Sequence, residues 1–336
     1  MAGWITQEGP QNEIVLSSRV RLARNIVNTP FPSYLSIEDA HKLINQVKEA
    51  VDRDGTQSYM LYNMDSMSAL DKQVLLEKHL ISPDLAKSTK GAALVSEDGL
   101  ISIMINEEDH IRIQSILPGL QMKNAWDLGD KVDDLLEETL DYSYDEKLGY
   151  LTCCPTNVGT GMRASSMVHL PALNMIGNIS KILQTVTQIG LTIRGMYGEG
   201  TEFQGNLFQI SNQITLGLSE DEIVENINAV TTQIVEKERE ARNILMNNNR
   251  IQLEDRVWRA WGILKNARVI TSQEAMKLLS DVRLGMDLGI IKNLTVTQLN
   301  EIMIETQPAN VQKYAGEELT PEARDIIRAE IIRKKL

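Results

Sequence analysis

Apolar residues recur at Ala40, Leu43, Ile44, Val47 and Val51, the spacing of one helical face. Ser36, with an acid three residues later, opens that pattern, so a helix is predicted over Ser36–Asp54. The period then shortens. In GAALVSEDGLISIMINEEDHIRIQSI, Ala92–Ser96 and Leu100–Ile105 read as a hairpin turning at Glu97–Gly99, with Ile101, Ile103 and Ile105 on one face. Asn124–Leu140 is an amphipathic helix and Leu148–Cys153 a short strand. Ala164–Ile189 reads as mostly helical, and Leu191–Met196 and Leu207–Leu216 as further strands.

After Leu216 only helical patterns remain. Ser219 and Glu222 form a capping box before Ile223, Ile227, Val230 and Ile234. Helices are predicted over Glu220–Asn247, Leu253–Lys265, Ser272–Leu279, Thr297–Glu305 and Pro321–Lys335, introduced by Ser272, Thr295 and Thr320–Pro321. The stripe Leu253, Val257, Trp258, Trp261 and Leu264 is suited to a core or a dimer surface. The fold class is therefore α+β, with residues 1–235 as the mixed domain and residues 236–336 as an all-helical one.

Composition narrows the function classes. Hydrophobic residues make up 42% and charged residues 24% of the chain, as in ordinary globular protein. No apolar run approaches the roughly 20 residues that cross a bilayer. The N-terminal MAGWITQEGPQNE has no basic or apolar signal region, and Cys153 and Cys154 are neighbours, a spacing that fits neither a structural disulfide nor a metal site. A cytoplasmic protein is expected, without a membrane partner and without a protein-held metal. The net charge of −12 argues against direct nucleic-acid binding. Two windows break the acidic trend. Ile14–Ile37 has no acid but holds Arg19, Arg21 and Arg24, and Lys147–Gly198 has none but holds Arg163, Lys181 and Arg194. Such windows suit a local anion site, or reflect chance clustering on solvated faces.

CPTNVGTGMRAS, at Cys154–Ser165, formally contains G-x-G-x-x-A, yet no acid follows at the distance a dinucleotide ribose needs, and no Gly-Lys-Ser/Thr follows for a Walker loop. It reads instead as a glycine turn feeding a helix whose first turn carries Arg163, with N–H groups and a guanidinium aimed at one phosphate oxygen. In SSRVRLARN, a strand would project Arg19 and Arg21 from one face; a basic edge strand is the alternative. NEEDHIRI places Glu107, Glu108, Asp109, His110 and Arg112 after an apolar strand, and IRGMYGEGTE brackets Glu199 with glycines after Arg194. Five arginines (Arg19, Arg21, Arg112, Arg163, Arg194) could neutralise a triphosphate while Glu108 and Glu199 hold a cationic acceptor.

These four motifs, in this order, resemble those of the phosphagen (guanidino) kinases over roughly Ile14–Leu216, and most of all the bacterial protein-arginine kinase (McsB-type) branch. The closing RDIIRA, Arg324–Ala329, is similar to a motif of that branch which metabolite kinases lack. The resemblance implies an antiparallel sheet flanked by helices, followed by a helical domain for dimerisation and phosphoarginine binding. It implies ATP contacts from Ser17, Ser18, Arg19, Val20 and Arg21, from His79 in EKHLISP, from Arg112, from Arg163, Ala164, Ser165, Ser166 and Met167, and from Arg194, Gly195, Met196, Tyr197, Gly198 and Glu199. Glu108 and Glu199 would clamp the target guanidinium beside Cys154. Free guanidinium is cationic at any physiological pH, with a pKa above about 12, so a carboxylate must orient it and accept a proton as the N–P bond forms. Glu199 is assigned as base and Glu108 as orienting partner, a split that could be reversed or shared. Cys154, near a helix start and among arginines, is expected to have a lowered pKa and to anchor the guanidinium; a small buried filler is the alternative. Magnesium would arrive on the triphosphate, held by phosphate oxygens and water.

The motif at Ser17 leads to the expectation that the helical domain preceding it in metabolite kinases is missing, and Met196–Tyr197 stands where many of those kinases carry a second arginine. Both departures suit an arginine presented on a protein. By resemblance, phosphorylated proteins would go to a Clp unfoldase and protease, a heat-shock repressor would be a substrate, a small zinc-containing activator would assist, and the chain would form a homodimer. On a helix, Arg324 and Arg328 share a face with Asp325 beside them, an allosteric phosphoarginine site by resemblance or a solvated face otherwise. Two other functions stay open: a kinase of a free guanidino metabolite, and a non-catalytic phosphoarginine and nucleotide reader.

Overall fold

The computed structural model describes residues 2–55, 57–195 and 204–336. Ten strands run in chain order: β1 Val15–Arg24, β2 Tyr59–Asn63, β3 Ala92–Ser96, β4 Ile101–Ile105, β5 Ile111–Pro118, β6 Tyr144–Asp145, β7 Gly149–Tyr150, β8 Met162–His169, β9 Leu191–Arg194 and β10 Leu207–Asn212. Eight form one sheet in the order β2-β3-β4-β5-β1-β8-β10-β9, with every neighbouring pair antiparallel, and β6 pairs with β7. The helices are α1 Gly3–Thr6, α2 Ile37–Asp54, α3 Ala69–Glu77, α4 Pro83–Lys87, α5 Met122–Glu137, α6 Pro171–Met175, α7 Ile179–Gln188, α8 Glu220–Asn248, α9 Arg250–Asn266, α10 Ser272–Asp287, α11 Val296–Glu305, α12 Pro308–Ala315 and α13 Pro321–Lys335.

Both faces of the sheet are used. Val20, Leu22, Ile103, Ile113, Ala164 and Ile210 meet apolar residues of α2, α5, α7 and α8 on one side. On the other, Leu16, Met104, Ile116, Met167 and Leu207 pack with Trp4, Leu75, Leu253, Leu279 and Ile302. That burial on both sides is why β3 and β4 are buried throughout and, but for Ser96 and Ser102, apolar rather than alternating. A register shift between Val15 and Ser17 turns Leu16 to the second face, so the residues after it keep Arg19 and Arg21 on that face and Val20 and Leu22 on the first.

The expected caps are present. Ser36 accepts from the Asp39 amide, and Ser219 and Glu222 form the reciprocal box of α8. The hairpin Ala92–Ile105 and helix α5 also stand. One expectation fails in an instructive way. Residues 162–169 are not the start of a helix but a central strand, with helices only from Pro171. Ala164 and Ser166 are small because they pack under α8, where the Thr231 hydroxyl donates to Ser166 Oγ at 3.1 Å. The strand expected over Leu148–Cys153 shrinks to Gly149–Tyr150, the one over Leu207–Leu216 stops at Asn212, and α10 runs eight residues beyond Leu279 to Asp287.

The glycines of CPTNVGTGMRAS serve close backbone approach rather than a nucleotide cradle. A Cβ on Gly159 (φ +116°) would meet Thr215 O at 2.2 Å, and one on Gly161 (φ +62°) would meet Ala23 O at 2.6 Å. Arg24, grouped by sequence with Arg19 and Arg21, points to the other face. Its guanidinium is 2.6 Å from Asp133, donates to Ala23 O and Thr160 O, and lies 3.5 Å over the Tyr150 ring. Asp133→Ala strands this buried cation and is expected to cost about 3–5 kcal/mol. Urea unfolding followed by circular dichroism should show the midpoint falling at unchanged m-value.

Candidate active site

The second face of the sheet is left open over β5, β1, β8 and β10, where alternate residues are polar. Arg112 and Gln114 come from β5, Arg19 and Arg21 from β1, Arg163 from β8, and Gln209 from β10. All of them line one cavity of about 1040 Å³, together with Arg194, His79, Glu108 and Cys154. In register, Arg21 stands directly opposite Arg163, a like-charge pair that destabilises an empty sheet. Gln209 Oε1 accepts from Arg19 at 2.8 Å and Ser211 Oγ from Arg163 at 2.9 Å, so neutral acceptors help to aim these two cations. Burial first, then the charges of Arg163 and Arg112, push Arg19 down to about 10. Burial and the same crowding push Arg21 well down. An anion entering the cavity relieves both penalties at once.

NEEDHIRI divides its work. Glu107 is buried, accepts from Ser82 Oγ at 2.6 Å and holds Arg112 at 2.7 Å. Arg112 also reaches Glu108 at 3.1 Å, and the Glu108 side chain is 40% exposed. Burial raises the Glu108 carboxyl, with Arg112 opposing. Asp109 does not face the cavity. It accepts from Asn25 Nδ2 and the Cys153 amide, both at 2.7 Å, and so ties three loops together. His110 Nδ1 accepts from the Ile26 amide, which leaves Nε2–H to donate to Pro30 O. Asn25, Ser82, Gln209 and Ser211 were not singled out in the sequence. Their signal is only parity along a strand or position beside a turn.

Cys154 lines the cavity from the short turn Pro155–Asn157, its Sγ 3.0 Å from Thr156 Oγ1. His79 sits in the left-handed region at φ +58°, and burial, then the Arg19 charge, takes its imidazole down to about 3, so it is neutral at physiological pH. The remaining members of the arginine motifs do not reach the cavity. Ser18 is buried and binds Gly119 O, Val20 and Ala164 belong to the helix-covered core, and Met167 packs in the other core. Ser17, Ser165, Ser166 and Gly195 are likewise not among its lining residues. Met196, Tyr197, Gly198 and Glu199 lie outside the described residues. Among the described residues no group of three or more His, Cys, Asp or Glu could hold a metal ion, and no helix is long and apolar enough to cross a membrane.

Far along the chain, Arg328 is buried, donating to Thr306 O at 2.7 Å and Ile270 O at 3.0 Å and pairing with Asp325. Arg324, one turn earlier, is half-buried. The apolar stripe of α9 divides. Leu253, Val257 and Leu264 are core, whereas Trp258 is 50% exposed.

Comparison with known proteins gives the lineage of this arrangement. Residues 42–241 match the ATP:guanido phosphotransferase C-terminal catalytic domain, and residues 250–336 match the protein-arginine kinase McsB C-terminal domain. The chain is 51% identical to the protein-arginine kinase of Brevibacillus brevis, with 100% of this chain and 95% of that one covered. It is also 51% identical to the protein-arginine kinase of Bacillus subtilis, covering 100% and 93%. In fold it is similar to the crystal structure of a lombricine kinase, with a TM-score of 0.60 at 24% identity over 70% of this chain and 68% of that one. Catalytic sheet, helical tail and both family matches agree: the chain belongs to the McsB-type protein-arginine kinases, a branch of the ATP:guanido phosphotransferase (phosphagen kinase) family.

Proposed function

We propose that the protein is an ATP:protein-L-arginine N-phosphotransferase. The observation that carries the reading is the single cavity in which five arginines face Glu108 and Cys154. Arg19, Arg21, Arg112, Arg163 and Arg194 bind the triphosphate, and the extended acceptor arginine enters beside Glu108. A guanidino nitrogen attacks the γ-phosphorus, the N–P bond forms as the bond to the ADP oxygen breaks, and the proton released by that nitrogen passes to a carboxylate. Glu108 orients the guanidinium or takes that proton; Glu199 is the second carboxylate of this reading. Cys154 borders the acceptor. The cavity's cationic lining fits a magnesium-loaded nucleotide better than a protein-held ion, and magnesium would neutralise phosphate-oxygen charge there.

The wider role is proposed on the resemblance and on the protein-arginine kinase relatives. Phosphoarginine would mark proteins for a Clp protease in the cytoplasm, a heat-shock repressor would be among the substrates, and a zinc-containing activator would assist. Residues 1–235 would carry catalysis and residues 236–336 dimerisation and phosphoarginine sensing through Arg324, Asp325 and Arg328. Support for a dimer comes from Ile251 and Trp258, exposed one heptad apart on α9.

Incubation with ATP and an unfolded arginine-containing protein is expected to give acid-labile phosphate on arginine; transfer to free arginine alone would overturn the protein-substrate reading. Glu108→Gln should lower kcat about 10²–10⁴-fold with ATP affinity largely kept, which a binding assay beside single-turnover kinetics separates. Because burial raises Glu108 and the reaction needs its carboxylate form, kcat/KM should fall as pH drops, with the acid limb above the ordinary carboxylate range. Arg21→Met should weaken ATP binding at least about tenfold while raising thermal stability, since it removes a buried cation crowded by Arg19, Arg112 and Arg163. Differential scanning fluorimetry with and without ATP checks both.

A further inference from the structure

The end of α3 forms one wall of the cavity. Leu76 and His79 line it, and Ile81–Asp84 continue it. The backbone there is tightly determined. His79 N–H returns to Leu76 O at 2.9 Å and Leu80 N–H to Leu75 O at 3.0 Å, a left-handed helix end made by a residue with a large side chain. Such a conformation persists only where its surroundings fix it. The Trp4 ring packs 5.6 Å from the imidazole, and Gln114 Nε2 donates to His79 O at 2.7 Å.

Between Leu76 and His79, Glu77 reaches the other way. It is buried, and its carboxylate accepts from the Ala309 amide at 2.8 Å, the Asn310 amide at 2.9 Å and Asn310 Nδ2 at 2.7 Å. These amides are the first turn of α12, whose own N-cap residue, Gln307, supplies no side-chain cap. A carboxylate from the catalytic region therefore caps a helix of the C-terminal region. The residue before that cap, Thr306, offers its carbonyl to Arg328. The second polar tie between α3 and α12, Asp71 to Lys313 at 2.7 Å, is solvent-exposed and correspondingly weak.

We propose that Glu77 is a positioning residue: by fastening the end of α3 to the N-terminus of α12 it fixes the placement of Leu76 and His79 against the nucleotide, and so ties nucleotide affinity to the packing of the helical C-terminal region. This rests on the reading of the cavity as the nucleotide site. Charge-assisted hydrogen bonds to a helix start are strong and directional, which makes the anchor stiff. Burial raises the Glu77 carboxyl, while the α12 amides and the Arg328 charge pull it back toward the ionised form.

The test uses the full-length protein, with KM for ATP, kcat and melting temperature measured for wild type, Glu77→Gln, Asn310→Ala and Lys313→Ala. Glu77→Gln is expected to raise KM for ATP about tenfold with kcat within about twofold. Asn310→Ala, which deletes one of the three hydrogen bonds, should shift KM about two- to threefold in the same direction and keeps the test usable if Glu77→Gln fails to fold. Lys313→Ala should leave both constants unchanged. A lowered melting temperature with wild-type KM in both Glu77→Gln and Asn310→Ala would reduce Glu77 to a structural residue, as would an equal KM increase in Lys313→Ala. A wild-type chain that binds no ATP would overturn the nucleotide reading itself; one that binds ATP no better than Glu77→Gln overturns this inference alone.

Discussion

Everything at the cavity depends on holding like charges together on one face of a sheet. Arg19, Arg21, Arg112 and Arg163 come from three neighbouring strands, and the antiparallel register leaves Arg21 and Arg163 no room to avoid each other. Such a cluster opposes folding, so the rest of the sheet must compensate. It does so on the opposite face, where Val20, Leu22, Ile113 and Ala164, neighbours in sequence of those same arginines, are wholly buried under helices. Over Arg19–Leu22 the strand period of two separates the two tasks residue by residue: Arg19 and Arg21 carry charge, Val20 and Leu22 carry the core. A sheet stabilised from behind can present a repulsive front, and that front gains from a polyanion what it loses in isolation.

Aiming these cations is the second requirement. A carboxylate partner offsets part of an arginine's charge, as Glu107 does for Arg112. Arg19 and Arg163 are also oriented by neutral acceptors, Gln209 and Ser211. Where the protein wants a fully compensated arginine it uses a different arrangement, as at Arg24, which is paired with Asp133, hydrogen-bonded to two carbonyls and stacked on Tyr150. Arg21 and Arg24, three residues apart, show the two uses of one side chain.

Much of this was readable from the chain. The Ser36 and Ser219 caps, the 92–105 hairpin and the projection of Arg19 and Arg21 from one strand face follow from local periodicity, and local rules sufficed. The segment Met162–His169 did not yield, because Ala164, Ser165 and Ser166 carry no β-branched or aromatic signal; the small size of Ala164 and Ser166 answers to α8 packed across them, a tertiary demand. Helix α12 was missed for a related reason. It spans eight residues, and its N-terminal cap comes from Glu77, 232 residues earlier in sequence. The structural role of Arg24 was equally hidden, since Asp133 lies 109 residues away. Glu108 was legible as a candidate, but not the division of labour with its neighbours.

That division bears on the acceptor end of the proposed reaction. Arg112 bridges Glu107 and Glu108, but the two contacts differ in kind: Glu107 is buried and held by Ser82, whereas Glu108 is substantially exposed and meets Arg112 with a longer contact. A buried pair resists separation and an exposed one exchanges readily with solvent or another cation. On the function proposed above, Glu107 would keep Arg112 at the cavity for phosphate while Glu108 would exchange it for an incoming guanidinium. On that reading one guanidinium would replace another on the same carboxylate, and the acceptor's charge would be compensated as it enters. Adjacent glutamates of unequal burial thus give Arg112 one firm and one exchangeable partner, a consequence of which side chain the turn after β4 exposes.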